Sequence, residues 1–148
     1  MIRPYHPSDK QALVEILKLN VPTYFDRREV AEFEEYLKEH QATYLTIEHE
    51  NKIAGGTGYL LTDNNTIGHV RWIFFHPDFA GHGLGGDAMK YCLTKFRSVP
   101  TVKKLIVTTS QLAYRFFEKF GLVLIKTEKD YWGTGLDLYW MEMEFNSH

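Results

Sequence analysis

The chain has 148 residues, 44% hydrophobic and 15% aromatic, enough to bury a sizeable core. Its 17 basic and 19 acidic residues leave a formal net charge of -2, which excludes a nucleic-acid binder held by phosphate attraction. No apolar run approaches a membrane span, the opening MIRPYHPSDK lacks a signal-peptide core, and the histidines lack metal-ligand spacing; the single Cys92 excludes an internal disulfide and fits a reducing, cytoplasmic setting.

MIRPY reads as a short strand. HPSDKQALVEILKLN carries Leu13, Ile16, Leu17 and Asn20 at helical spacing, with Pro7 near its first turn. Pro22 breaks that pattern. DRREVAEFEEYLKEH reads as a second helix that buries Val30, Phe33 and Leu37 and leaves its glutamates outside. ATYLTIEHE then alternates as a strand, and NKIAGGTGYLL returns after a tight turn at Asn51-Lys52. A turn at Asp63 to Asn65 leads into TIGHVRWIFFHP, the third strand of a meander. After a glycine loop, a helix from about Leu84 to Phe96 places Met89, Leu93 and Phe96 on one face. KKLIVTT has the short apolar character of a strand buried on both sides. QLAYRFFEKFG reads as a helix closed by Gly121, and LVLIKTEKDYW and LDLYWMEMEF as two last strands around a turn at Gly133 and Gly135. The predicted order, β-α-α-β-β-β-α-β-α-β-β in one domain over residues 1–148, contains one parallel crossover in mid-chain.

That crossover holds FAGHGLGGDAMKYC, with four glycines in six positions ahead of a helix. Glycines there allow backbone amides to point inward, and the helix start adds partial positive charge, as a phosphate requires. A Walker loop is excluded, because no Lys-Ser/Thr follows. Gly81, Gly83 and Gly86 satisfy a dinucleotide spacing, but HPDFA separates them from the strand and the next strand ends in Thr108, Thr109 and Ser110 instead of an acid. No lysine or arginine lies between Arg71 and Lys90, so any phosphate must be held by backbone donors. A pyrophosphate cradle for coenzyme A and a ligand-free helix cap are the remaining readings.

IFFHPDFAGHGLGGDAMKY resembles the cofactor motif of the GNAT superfamily of N-acetyltransferases: strand, His/x-Pro, Gln/Arg-x-x-Gly-x-Gly/Ala, helix. SQLAYRFFEKFGL resembles the family's second motif, Asn-x-x-Ala-x-x-Phe-Tyr-x-Lys-x-Gly-Phe, and both chain ends look like the family's opening and closing elements. The resemblance implies an α/β fold whose mixed central sheet is splayed between strands four and five, with helices on both faces and acetyl-CoA in the opening. It implies that the backbone around Ile73 and Phe75 holds pantetheine and the acetyl carbonyl, that the amides of Gly81, His82, Gly83, Leu84, Gly85 and Gly86 hold the pyrophosphate, and that Ser110, Ala113 and Phe117 line the cofactor. The acceptor would be a small-molecule or peptide amine, with no nucleic acid or membrane partner and with a homodimer left open.

Three positions depart from the family pattern: Ala80 replaces Gln or Arg, Ser110 replaces Asn, and Phe117 stands where a tyrosine often protonates the leaving thiolate. His69 and His76 flank the cofactor strand and suit base chemistry, although seven positions of strand alternation set them on opposite faces. Either also reads as an ordinary polar strand-end residue. Tyr131 near the last hairpin and Tyr114 on the second-motif helix could supply a proton, or simply pack. Tyr24 and Phe25 are candidates for shaping an acceptor pocket. Glu29, Glu32, Glu34 and Glu35 could attract a cationic amine, with a solvated helix face as the plainer reading. A non-enzymatic acyl-CoA binding module and a dinucleotide-dependent oxidoreductase are the rival functions.

Overall fold

In a computed structural model describing residues 1–145, the strands are β1 (Ile2–Pro4), β2 (Tyr44–His49), β3 (Lys52–Thr62), β4 (Ile67–Phe75), β5 (Lys104–Thr109), β6 (Val123–Gly133) and β7 (Leu136–Glu144). The helices are α1 (Lys10–Leu19), α2 (Glu29–His40), α3 (Leu84–Arg97) and α4 (Tyr114–Glu118), so the predicted order holds throughout. One mixed sheet runs β1-β2-β3-β4-β5-β7-β6, and β4–β5 is its parallel pair.

Each helix buries the stripe its sequence period dictates. Leu13 and Leu17 of α1 and Phe33 and Leu37 of α2 pack with Tyr44 and Phe74 on one side of the sheet. Met89, Cys92 and Phe96 of α3 pack with Leu105, Phe117 and Met141 on the other. A fully buried aliphatic or aromatic side chain contributes roughly 1.5–3 kcal/mol, so these two layers dominate the stability. Cys92 is fully buried, and burial pushes its thiol up to about 12, as befits a small core residue.

Two local expectations shift. The β2–β3 turn is Glu50–Asn51, both at positive φ, with His49 paired to Lys52; this is the backbone of a tight hairpin with matching twist. The regular part of α4 is shorter than the motif's apolar pattern, because residues 110–113 form turns beneath it. Gly121 does close this region with φ +99.

The feature that positions the site is in β4. Its ladder with β5 runs from Ile67↔Lys104 to Val70↔Val107 and stops, although β4 continues to Phe75 and β5 to Thr109. On the other side, Gly56 pairs with Phe74 and Gly58 with Arg71, so Trp72 and Ile73 together oppose Thr57. This is a β-bulge. Trp72 takes φ 53, a left-handed conformation that costs a bulky residue on the order of 1–2 kcal/mol. Its neighbours hold it there: the Tyr44 hydroxyl donates to the Trp72 carbonyl at 2.8 Å, and Phe25 stacks on its ring at 6.0 Å. A Cβ on Gly56 would meet the Tyr44 ring at 2.6–2.9 Å, so the glycines of β3 make room for the tyrosine that supports the bulge.

Candidate functional site

Between the separated ends of β4 and β5 lies a cleft of about 530 Å³. β4 supplies one wall through Trp72, Ile73 and Phe75, and β5 and the following turn supply the other through Thr108, Thr109 and Ser110. Phe116 and Phe117 of α4 close one end. Tyr24, Phe25 and Glu29 from the α1–α2 region, with Tyr131 and Trp132 of β6, close the opposite end. The two closing segments are tied together: the Arg28 guanidinium donates to the Trp132 carbonyl at 2.8 Å, and Gly133 leaves space that the Asp26 side chain fills. The Trp132 indole donates to the Thr109 carbonyl at 2.9 Å, so this ring spans the gap to the end of β5.

At the α3 end, Gly81 and Gly83 have φ +87 and +72, and Gly83 is the helix N-cap. The first amide in this stretch that finds an acceptor is that of Asp87, bonded to the Gly83 carbonyl at 3.0 Å. Among the described residues, the six amides from Gly81 to Gly86 donate to no protein atom outside a regular helix, and a Cβ on Gly81, Gly83 or Gly86 would meet nothing within 4 Å. Free donors, open space and a fourteen-residue helix behind them fit an anionic phosphate group. Gly85 is different: its Cβ would meet the Phe116 ring at 3.0 Å, so this glycine makes room for packing within the protein.

Of the residues expected at the site, Ile73, Phe75, Gly85, Ser110, Ala113, Phe117, Tyr24, Phe25 and Tyr131 line the cleft. Gly81, His82, Gly83, Leu84 and Gly86 sit at its α3 end, in the loop and the first turn of the helix. Ser110 is buried, and its hydroxyl accepts from the Leu112 amide at 3.3 Å.

His69, His76 and Tyr114 are not among the lining residues. His69 lies in the closed part of the sheet, where its Nε2 is 2.8 Å from the Thr62 hydroxyl; burial and the Arg71 charge lower its pKa. The His76 Nδ1 accepts from the Asp78 amide at 3.0 Å and caps the turn after β4. Tyr114 packs on Tyr139, with ring centroids 4.8 Å apart. The alternation argument for the two histidines also fails, because the bulge at Trp72 resets the period between them.

The main correction concerns Glu29. It is 5% exposed, not on a solvated face, and it lines the cleft. Burial is the main cause that pushes its carboxyl up to about 7; the Asp26 amide, donating to Oε2 at 2.8 Å, opposes this in part, and the nearby Glu32 and Asp26 charges add to the rise. The sequence did carry a signal. Asp26-Arg-Arg-Glu29 has the spacing of a capping box, in which the fourth residue folds back onto the chain at the helix start. Arg71 and the tryptophans Trp72, Trp132 and Trp140 also line the cleft without having been anticipated. Tryptophan is so often a core residue that its type alone points nowhere.

Residues 10–122 match the Acetyltransferase (GNAT) family. No curated protein matches the chain. Among solved structures, Ard1 from Thermoplasma volcanium superposes with a TM-score of 0.83 at 17% identity, over 99% of this chain and 98% of its own. A ribosomal-protein-alanine N-acetyltransferase from Brucella melitensis gives 0.77 at 16%, over 98% and 99%. An aminoglycoside 6'-N-acetyltransferase solved with coenzyme A gives 0.76 at 15%, over 100% and 98%. At such identities the likeness speaks for the fold alone. Since the family match itself runs from α1 through both motifs to the end of the α4 region, the chain belongs to the GNAT acetyltransferase family.

Proposed function

We propose that the protein transfers an acetyl group from acetyl-CoA to an amine, by direct attack of the amine in a ternary complex. The observation that carries this reading is the end of the β4–β5 ladder at Val70↔Val107, which opens a cleft beside six amides free to bind a phosphate group. Family membership and the CoA-bound aminoglycoside acetyltransferase support acetyl-CoA as the donor.

In this reading the amides of residues 81–86 hold the pyrophosphate without help from a lysine. The pantetheine arm runs between β4 and the Ser110 turn, and a β4 amide near Ile73 stabilises the oxyanion that forms on the thioester carbonyl. Acetyl-CoA supplies an activated acyl group, and the protein orients it and excludes water. Phe117 is 3% exposed at the cleft and cannot donate a proton, so the thiolate leaves as the anion or takes a proton from water or from Tyr131. The reducing, cytoplasmic setting expected from the lone cysteine belongs to the same reading.

Calorimetry with acetyl-CoA and NADH, followed by thiol-release assays on amines, tests it. Acetyl-CoA should bind at least a hundredfold more tightly than NADH and should be turned over only when an amine is present. Comparable NADH binding would overturn the cofactor assignment. Phe117 also favours a second reading, an acyl-CoA binding module, which tight acetyl-CoA binding without turnover would establish.

A further inference from the structure

Resting on that reading, we propose that the acceptor is a primary amine carried on a single apolar body of roughly aromatic size, and that Glu29 receives its ammonium group. The end of the cleft away from the glycine loop is lined by Tyr24, Phe25, Trp72, Tyr131 and Trp132. Glu29 is the only carboxylate and Arg71 the only cation among the described lining residues. A polyamine or an aminoglycoside carries several ammonium groups and calls for several carboxylates, and among the described lining residues this cleft offers one. Arg71 is exposed, and among the described residues no carboxylate pairs with it, so it further repels a second positive charge.

The built character of the site lies in Glu29 itself. It is 95% shielded by the fold, taking its 5% exposure, yet it lines the cleft. Its carboxyl accepts one hydrogen bond, from the Asp26 amide, and among the described residues no other group bonds to it. Arg28, the nearest guanidinium on the same segment, is turned to Asp26 and the Trp132 carbonyl instead. The charged groups around Glu29 are therefore Asp26 and Arg28 before α2, Glu32 on α2, and Arg71 on β4, with the Tyr131 hydroxyl in the facing hairpin. An isolated carboxyl among aromatic rings suits an ammonium, which gains both the charge and the ring faces.

The proton balance is simple. The bound ammonium gives one proton to the Glu29 carboxylate. The free amine attacks the thioester carbonyl, the C–N bond forms and the C–S bond breaks. The second proton lost from nitrogen ends on the departing thiolate, giving the N-acetyl amine and the CoA thiol. A carboxyl whose pKa lies near neutrality is matched to this transfer.

The experiment measures kcat/KM by thiol release for 2-phenylethylamine, hexylamine, phenylalanine, spermidine and kanamycin, with acetyl-CoA binding followed separately by calorimetry. The apolar monoamines should exceed spermidine and kanamycin at least a hundredfold. 2-Phenylethylamine should also perturb tryptophan fluorescence in the CoA complex. Glu29→Gln should lower kcat/KM for it by roughly a hundredfold and remove the rise in rate between pH 6 and 8, with acetyl-CoA affinity unchanged. Phe25→Ala should raise KM far more than it lowers kcat. Turnover of spermidine, kanamycin or phenylalanine in preference to the monoamines would overturn this inference and leave acetyl transfer standing. Acetyl-CoA binding with no amine acetylated would end both.

Discussion

Replacing Glu29 by glutamine should change how stability depends on pH, independently of any substrate. The folded carboxyl is pushed from 4.5 up to about 7, mainly by burial, so between these pH values the folded state holds a proton that the unfolded chain has released. Stability from this group is therefore fully present below about pH 4.5 and is lost as pH rises through 7. The full difference corresponds to about 3 kcal/mol, and the carboxyl's contact with solvent in the cleft brings the expected loss to about 2 kcal/mol. Glutamine keeps an oxygen for the Asp26 amide and carries no charge. The two proteins should melt together near pH 4.5, and by pH 8 the variant should melt about 4–8 °C higher, as expected for a domain of this size. Differential scanning fluorimetry at half-unit intervals without ligand reads this directly, and the difference between the two curves cancels the other titrating groups. Parallel curves from pH 4.5 to 8 would refute the claim that Glu29 is desolvated in the apo cleft.

Gly86→Val adds a side chain in open space at an ordinary helical φ, so it should leave the melting temperature unchanged or higher and weaken acetyl-CoA binding at least tenfold by calorimetry. Gly85→Val should instead lower the melting temperature, because the new atoms meet the Phe116 ring. Phe117→Tyr should raise kcat by up to about a hundredfold with little change in KM for acetyl-CoA, provided that proton delivery limits the rate; a drop in kcat would argue that position 117 is purely a packing site. Asp9 is buried, and although burial opposes it, hydrogen bonds from Arg3, the His6 amide and Thr46 hold its carboxyl at about 2. Asp9→Asn should lose about 2 kcal/mol in urea unfolding at pH 7, and this gap should close as pH falls from 4 to 2.

The element order and the two buried faces were legible because each rests on a period or a punctuation mark: 3.6 in α1 and α3, alternation in β2 and β3, glycine at the α3 start. The glycine loop was legible as the entry to α3 for the same reason, since the chain enters the helix through positive φ at Gly81 and Gly83. Glu29 was misread because a helix period describes the middle of a helix. At the first turn the chain folds back on itself, and a charged side chain there can be drawn inward by an amide of the cap. His69 and His76 were misplaced by a different cause. Their parity argument assumed an unbroken strand, and the inserted residue at Trp72 depends on Tyr44 and Phe25, which are distant in sequence. Nothing within IGHVRWIFF marks a tryptophan that will adopt a positive φ.

The cleft is thus maintained by a residue count. Deleting one position among residues 71–73 would let β4 alternate without interruption, relieve the left-handed backbone and restore a continuous ladder with β3. Such a deletion would keep Phe74 and Phe75 on their present layers, still opposite Gly56 and Gly55, and would remove only the local bend of β4 beside the cleft. The more regular strand would be the inactive one. In any lineage that keeps acetyl transfer, insertions and deletions in this three-residue window should therefore be rarer than substitutions.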